Sequence, residues 1–346
     1  MTESDTPAIT HGGNLHEAAR RYGIPYEQWL DLSTGINPHG YPVPPVPADA
    51  WRRLPDEGDG FAARAAQYYG APDAAHVLPV AGSQAAIRAL PMLLPQATVG
   101  IAPLTYSEYA PAFTRAGHRV VPLDVSRAEL PDDLVHVALV NPNNPSADYL
   151  DTQTLLHWHE QLSARGGTLL VDEAFADAMP APGASLAGYT ARAGLVVLRS
   201  PGKFFGLAGV RSGFVLGAPA LLDTLRDRLG AWTVSGPARH AVSAAFADTG
   251  WQQQTHEQLA AQGARLAGLL RAQRFAVRAT PLFVWTSDPR AATLHEALAT
   301  HGIWTRFFAQ QPSLRIGLPA SEHDWARFEQ ALQQSVQAID ANHRAR

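Results

Sequence analysis

Short apolar runs alternate with helix-like stretches from residue 57 to residue 229, and few folds accommodate that rhythm. The periodicity predicts helices over 61–69, 83–94, 108–116, 152–164 and 219–229. Between them it predicts strands over 77–80, 99–102, 119–123, 135–140, 168–171 and 195–198. Apolar strands alternating with helices imply a mostly parallel sheet covered on both faces, so the expected fold class is α/β. Ligands of such sheets bind beyond the carboxyl ends of the strands. Polar clusters fall at several of those ends: Gly82-Ser83, Asn141 to Asn144, Asp172-Glu173 and Ser200 to Lys203.

The flanks read differently. A short helix is expected over 14–23, with Asn14 as N-cap and Gly23 as stop. Residues 31–56 hold six prolines (Pro38, Pro42, Pro44, Pro45, Pro47, Pro55) besides Gly35 and Gly40. Proline fixes φ and removes a backbone donor, so this segment is expected to be an extended arm without a helix. The pattern breaks again at 232–238. A helical region over 239–273, strands near 283–285 and 314–317, and helices over 291–301 and 322–340 then read as a smaller α+β domain. The expected division is an N-terminal arm over 1–56, a large domain over 57–232 and a small C-terminal domain over 233–346.

Composition excludes several function classes. The 346 residues are 46% hydrophobic and 17% charged, as in an ordinary soluble globular protein. A net charge of −4 without a basic block offers nothing to nucleic acid. With no cysteine there is no disulfide, thiol nucleophile or thiolate-bound zinc. His157 and His159 lie two apart on an expected helix and face different ways, so no metal site is expected. No run of 18 apolar residues exists and the N-terminal residues are polar, so no membrane span or secretory signal is expected, and the setting is expected to be cytoplasmic.

The chemistry concentrates after the run Leu195-Val196-Val197-Leu198, where Ser200-Pro201-Gly202-Lys203 leads into Gly206, Gly209 and Arg211. A lysine after a strand is more often a solvated loop residue. At the end of a buried strand, however, desolvation favours the neutral amine, which is a nucleophile. Ser200 and Arg211 on either side suit a bound phosphate. A P-loop is excluded, because Val197 and Phe204 stand where its first glycine and its hydroxyl would be.

Other positions extend the pattern. Asp172 ends an apolar strand, where a carboxylate needs either a cation or a helix N-terminus to cap. The turn Ala81-Gly82-Ser83-Gln84 can present backbone N–H groups to an anion. Two prolines stiffen Asn141-Pro142-Asn143-Asn144-Pro145, fixing an amide at a strand end. Tyr106 can stack on a planar heterocycle or simply pack. Arg315, between apolar residues, suits a carboxylate bound bidentately, and Arg306 suits either a second anion or a salt bridge. His11-Gly12-Gly13-Asn14 would leave N–H groups open to an anion, or serve as a plain turn.

In their order along the chain, Gly82-Ser83, Tyr106, Asn144-Pro145, Asp172-Glu173-Ala174-Phe175, Ser200-x-x-Lys203, Arg211 and Arg315 resemble the fold-type I pyridoxal 5'-phosphate (PLP) enzymes of the class I/II aminotransferase family. The resemblance implies a three-layer PLP-transferase fold with a smaller C-terminal α+β domain, bound PLP, and a homodimer. It implies that Lys203 bonds to the cofactor and moves protons at the substrate Cα, Asp172 pairs with the pyridine nitrogen and Tyr106 stacks on the ring. Asn144 would contact the ring hydroxyl. Gly82, Ser83, Gln84, Ser200 and Arg211 would surround the cofactor phosphate. Arg315 would take the substrate carboxylate.

Two branches of the family compete. The compact length and the Asn-Pro-Asn-Asn-Pro turn resemble histidinol-phosphate aminotransferases. The strings His11-Gly12-Gly13-Asn14, Asp31-Leu32-Ser33-Thr34-Gly35-Ile36-Asn37-Pro38 and Gly202-Lys203-Phe204-Phe205-Gly206-Leu207-Ala208-Gly209 resemble more the branch that decarboxylates L-threonine O-3-phosphate in cobalamin biosynthesis. The second is preferred. It implies a small phosphorylated amino-acid substrate, touched by His11, Gly13, Asn37 and Asn144, with His11 and Arg306 on its phosphate. The chain departs from the family twice. Phe175 stands where relatives often have a tyrosine that reaches the ring hydroxyl, and Leu54 stands where they often have one that reaches the partner subunit's cofactor. A dinucleotide enzyme is disfavoured, since no G-x-G-x-x-G opens a helix.

Overall fold

The computed structural model describes residues 12–179 and 185–344. Helix α1 (Leu15–Tyr22) ends at Gly23, whose φ of 67° is the left-handed conformation that glycine adopts without strain. Asn14 precedes α1 but does not cap it; its amide donates to Glu17 Oε2 at 2.7 Å. The short strand β1 (Leu30–Asp31) starts the proline-rich arm. Contrary to expectation the arm contains a helix, α2 (Ala48–Arg52), with Pro47 just outside its first turn, where a missing N–H costs nothing.

The alternating region follows the predicted order. In chain order it holds α3 (Phe61–Tyr69), β2 (Val77–Val80), α4 (Ser83–Ala89), β3 (Thr98–Ile101), α5 (Tyr109–Arg115), β4 (Arg119–Pro122), β5 (His136–Val140), α6 (Thr152–Ser163), β6 (Thr168–Asp172) and β7 (Leu195–Arg199). Helix α4 is shorter than expected, giving way to a 3₁₀ turn over Leu90–Leu93, because Pro91 cannot continue the α-helical hydrogen bonding. Lys203 lies not in an open loop but in a one-turn helix, α7 (Pro201–Phe204).

Beyond it come β8 (Gly213–Leu216), α8 (Pro219–Leu229), α9 (Gly236–Ala247) and α10 (Thr249–Ala272). The single helical region expected over 239–273 is thus two helices. Asp248 separates them, and its carboxylate accepts from Trp251 N–H at 2.9 Å to cap α10. The chain ends with β9 (Arg278–Thr280), β10 (Phe283–Ser287), α11 (Ala291–Thr300), β11 (Ile303–Trp304), β12 (Arg306–Phe308), β13 (Ser313–Gly317) and α12 (Glu322–Arg344).

Seven strands form the central sheet in the order β2-β8-β7-β6-β5-β3-β4. Strands β7, β6, β5, β3 and β4 run parallel, and β8 is antiparallel to both its neighbours. One face packs on Phe61, Trp158, Phe205 and Phe214; the other packs on Ile87, Tyr109 and Phe113. Fully burying each such side chain contributes about 1.5–3 kcal/mol, which is why the strands carry no polar face. A second sheet, β12-β13-β10-β9, is antiparallel. The arm joins it to the rest: β1 pairs with β11, and Gly317 N–H donates to Leu32 O at 2.8 Å.

Candidate active site

The carboxyl ends of β2, β3, β5, β6 and β7 converge beside β12 and β13. There a cavity of about 820 Å³ is lined by Gly12, Tyr106, Asn144, Lys203, Arg306 and Arg315, among others. Five of the expected site residues, Tyr106, Asn144, Lys203, Arg306 and Arg315, therefore meet in one place.

Lys203 is also the only lysine in the sequence, a signal that inspection of the motif alone passes over. Proline at the first turn of α7 pre-sets the helix that carries it. The arm holds this turn from outside. Asn37 N–H donates to Lys203 O at 2.9 Å, Asn37 Nδ2 donates to Phe204 O at 2.8 Å, and Tyr41 N–H donates to Phe205 O at 2.8 Å. Gly206 (φ 65°) lets the strands of chain touch, since a Cβ there would lie 2.6 Å from Gly40 Cα. Desolvation, followed by the nearby charges of Arg315 and Arg211, lowers the Lys203 amine to about 8, against the opposing pull of Asp172. An amine so shifted is a competent nucleophile near neutral pH.

Asp172 is buried at the end of β6. Its Oδ2 accepts from Tyr109 OH at 2.7 Å and its Oδ1 accepts from Ala174 N–H at 3.0 Å. The capping role and the cationic role are therefore compatible, because neither contact neutralises its charge. Burial raises its pKa despite the hydrogen bonds from Tyr109 and Ala174 and the charge of Lys203. Such a carboxylate is poised for a cation delivered by a ligand. Tyr109 was not expected from the sequence; its signal is its place at the sheet-facing start of α5, three residues after Tyr106.

Gly82, Ser83 and Arg211 lie together. Arg211 adopts φ 55°, and its guanidinium packs so closely that a Cβ on Gly82 would lie 2.7 Å from its Nη2. A Cβ on Gly213 would likewise lie 2.5 Å from the backbone nitrogen of Ser83. These glycines let the Arg211 guanidinium and the β8 backbone pack directly against the Gly82-Ser83 turn. Tyr106 OH donates to Gln84 Oε1 at 3.0 Å, so Gln84 steadies Tyr106 rather than facing the cavity. Burial, then Glu108 and Asp172, push the Tyr106 phenol up to about 12.

Arg315 is buried on β13. Its Nη1 donates to Asn144 Oδ1 and its Nη2 to Ser33 O, while its buried Nε has no hydrogen-bond partner among the described residues. Arg306 is its direct cross-strand partner on β12. Burial and the Arg306 charge lower Arg315 to about 10. Its contacts are neutral, so an anion is the missing complement. Asn144 Nδ2 makes no hydrogen bond among the described residues and is the donor available to a ring hydroxyl.

Several expectations need correction. Asn37 does not reach the cavity; its Nδ2 is spent on Phe204 O and its Oδ1 on His39 N–H. Gly13 N–H is not open to an anion, because it donates to Ser33 Oγ at 2.7 Å. His11 lies outside the described residues. Ser200 is half-buried and makes no side-chain cap bond to α7. Phe175 lies under the site edge-on to Phe283, with Lys203 Nζ 5.8 Å from its ring centre, so no hydroxyl is supplied from there.

The residues fit PLP: a desolvated amine, a buried carboxylate without a cation in contact among the described residues, and a guanidinium packed against the Gly82-Ser83 turn. Known proteins agree. The family model described as aminotransferase class I and II matches residues 56–333. A threonine-phosphate decarboxylase of Pseudomonas aeruginosa is 50% identical over 328 residues, covering 94% of this chain and 97% of that protein. A threonine-phosphate decarboxylase of Sinorhizobium sp is 43% identical over 338 residues, again covering 94% and 97%. Among solved structures, histidinol-phosphate aminotransferase from Sinorhizobium meliloti in complex with pyridoxal-5'-phosphate superposes with a TM-score of 0.81 at 17% identity, covering 98% of this chain and 99% of that one.

Proposed function

Because the chain belongs to the aminotransferase class I and II family, we propose that it is the PLP-dependent lyase that decarboxylates L-threonine O-3-phosphate to (R)-1-amino-2-propanol O-2-phosphate in cobalamin biosynthesis. The observation that carries this reading is the pair Arg306 and Arg315, opposite each other across β12 and β13 in the cavity that holds Lys203. Two adjacent guanidiniums match a substrate with two anionic groups. The relatives at 50% and 43% identity carry the matching activity in their names.

PLP, when bound, supplies the electron sink for a bond broken at the substrate Cα. Lys203, Asp172, Tyr106, Asn144, Ser83, Ser200 and Arg211 would hold it. Arg315 binds the α-carboxylate and Arg306 the phosphate, so the substrate is fixed at both ends and its Cα cannot rotate freely. Fixing both ends would set which Cα bond is held for cleavage, and the decarboxylase reading assigns that place to the Cα–carboxylate bond. With carbon dioxide lost, the protonated Lys203 amine would return a proton to Cα. Asp172 would hold the ring nitrogen through its carboxylate, which the hydrogen bond from Tyr109 helps keep ionised.

The alternative, transamination of histidinol phosphate, presents Arg306 with a phosphate but leaves Arg315 without a carboxylate until a second substrate enters. Reaction of L-threonine O-3-phosphate in heavy water separates the two. The decarboxylase reading expects one deuterium at C1 of aminopropanol phosphate; recovery of unconsumed substrate contradicts it.

The same reading includes a cytoplasmic homodimer. No helix among the described residues is long and apolar enough to cross a membrane. Exposed Trp51 (69%), Leu54 (67%) and Trp232 (54%) around the junction of the arm and α9 suit a subunit contact. It also keeps the division at 56 and 232, since the seven-stranded and four-stranded sheets fall on either side of residue 232.

A further inference from the structure

Arg199 ends β7 with its side chain only 6% exposed, and the carboxylate of Glu173, just past the end of β6, is fully buried beside it. Nη1 of Arg199 donates to Glu173 Oε2 at 2.6 Å and to Ser185 Oγ at 3.1 Å; Nη2 donates to Asp177. The guanidinium carbon sits 4.6 Å from the ring centre of Tyr69. Glu173 also accepts from Ser185 Oγ at 2.5 Å and from Leu186 N–H at 2.8 Å.

Stability does not explain this cluster. Removing three ionised groups from water is costly, and well-packed apolar residues often serve as well. Moreover, Asp177 Oδ2 and Arg199 Nε are buried without hydrogen-bond partners among the described residues. Its location supplies a different reason. Asp172 and Leu198 are paired in register on β6 and β7, and the next contact along is Glu173 N–H to Leu198 O at 2.9 Å. The Arg199–Glu173 pair therefore ties the two strands where they end. One residue before Glu173 stands Asp172; four residues after Arg199 stands Lys203. The turn over Ala176–Ala178, which carries Asp177, packs against α7, which carries Lys203.

We propose that Arg199, through Glu173 and Asp177, is a positioning residue that fixes the distance between Asp172 and Lys203. It touches neither substrate nor cofactor. The inference rests on reading Asp172 and Lys203 as the working pair, as proposed above. Loosening the strand ends would let water reach Lys203, which raises the pKa of its amine, and would draw it from Asp172, which lowers it; burial is the larger influence, so the net shift is upward. The charged groups that act on the Lys203 amine are Arg315, Asp172 and Arg211.

The test uses a triple variant, Arg199→Met with Glu173→Gln and Asp177→Asn, which removes the cluster without leaving a buried charge unpaired. Its readout is the pH midpoint for labelling of Lys203 by trinitrobenzenesulfonate in cofactor-free protein, followed by mass spectrometry of the labelled peptide. Since Lys203 is the only lysine, no other ε-amine competes. The midpoint is expected to rise at least one unit above the wild-type value, and kcat of the PLP-loaded variant to fall at least tenfold with KM unchanged. A folded triple variant with wild-type midpoint and kcat overturns the proposal. Should the triple variant not fold, Arg199→Lys, which keeps a cation but cannot span both carboxylates, is read the same way; an unchanged midpoint again overturns it. The labelling needs neither substrate nor turnover, so its failure is distinct from failure of the decarboxylase reading.

Discussion

Tyr109 donates its phenol to Oδ2 of Asp172 at 2.7 Å, buried between α5 and the end of β6. This contact lowers the Asp172 pKa, while burial raises it. Tyr109→Phe removes the lowering contribution and keeps the ring. A hydrogen bond to a charged group contributes about 1.5–3 kcal/mol, and one pKa unit corresponds to about 1.4 kcal/mol. The acidic limb of the kcat/KM profile is expected to move up by about one unit. PLP affinity, measured by absorbance titration, is expected to weaken about tenfold.

Lys203 makes stability depend on pH in the cofactor-free protein. Its amine releases a proton at about 8 in the folded state, against 10.5 for the unperturbed side chain. Between those values the unfolded chain binds more protons, so the lysine's contribution to stability rises with pH; below about 8 the full penalty is present. Lys203→Met is therefore expected to be more stable than wild type at pH 7 by about 2–3 kcal/mol, converging towards it as pH approaches the unfolded value. Urea unfolding of both proteins across that range measures the difference.

Arg306→Ala addresses the phosphate. Losing one charge-assisted contact of about 1.5–3 kcal/mol is expected to raise KM for L-threonine O-3-phosphate by roughly 10–100-fold. Binding of L-threonine, which lacks the phosphate, is expected to change little. Equal weakening of both ligands in calorimetric titrations counts against the assignment.

Gly35→Ala tests the floor of the cavity. A Cβ at Gly35 would lie 2.9 Å from Phe283 Cδ1 and 3.0 Å from Phe175 Cε1. These rings sit beneath Arg315 and Lys203, with cation-to-centroid distances of 5.7 and 5.8 Å. The added methyl must displace one of them, at an expected cost of about 1–3 kcal/mol in thermal or denaturant unfolding.

How far the sequence carries depends on whether a signal is local. Apolar runs such as Thr168–Asp172 and Leu195–Arg199 declare buried strands because neither face meets water, and their ends locate Asp172 and Lys203 directly. The short strands β1, β11 and β12 carry too few residues to show a period, so the joining of the arm to the second sheet was not legible. Asn37 looked like a ligand because it is a polar residue in a motif; its role is to satisfy backbone carbonyls from 167 residues away in sequence, which only the fold brings near. Tyr109 and Ser33 escaped notice for the same reason, since their partners Asp172 and Gly13 are distant in the chain or in an irregular turn. Arg199 was hidden by position: at the end of an apolar strand it resembles a solvent-exposed cap, and only the burial of Glu173 and Asp177 reveals it.

The central claim is that this site removes a carboxylate from a phosphorylated amino acid. The direct measurement supplies PLP-loaded enzyme separately with L-threonine O-3-phosphate and with histidinol phosphate plus 2-oxoglutarate, and follows carbon dioxide in the first and glutamate in the second. The account predicts stoichiometric carbon dioxide and aminopropanol phosphate from the first, with no more than trace glutamate from the second. Glutamate from the second without carbon dioxide from the first would contradict it.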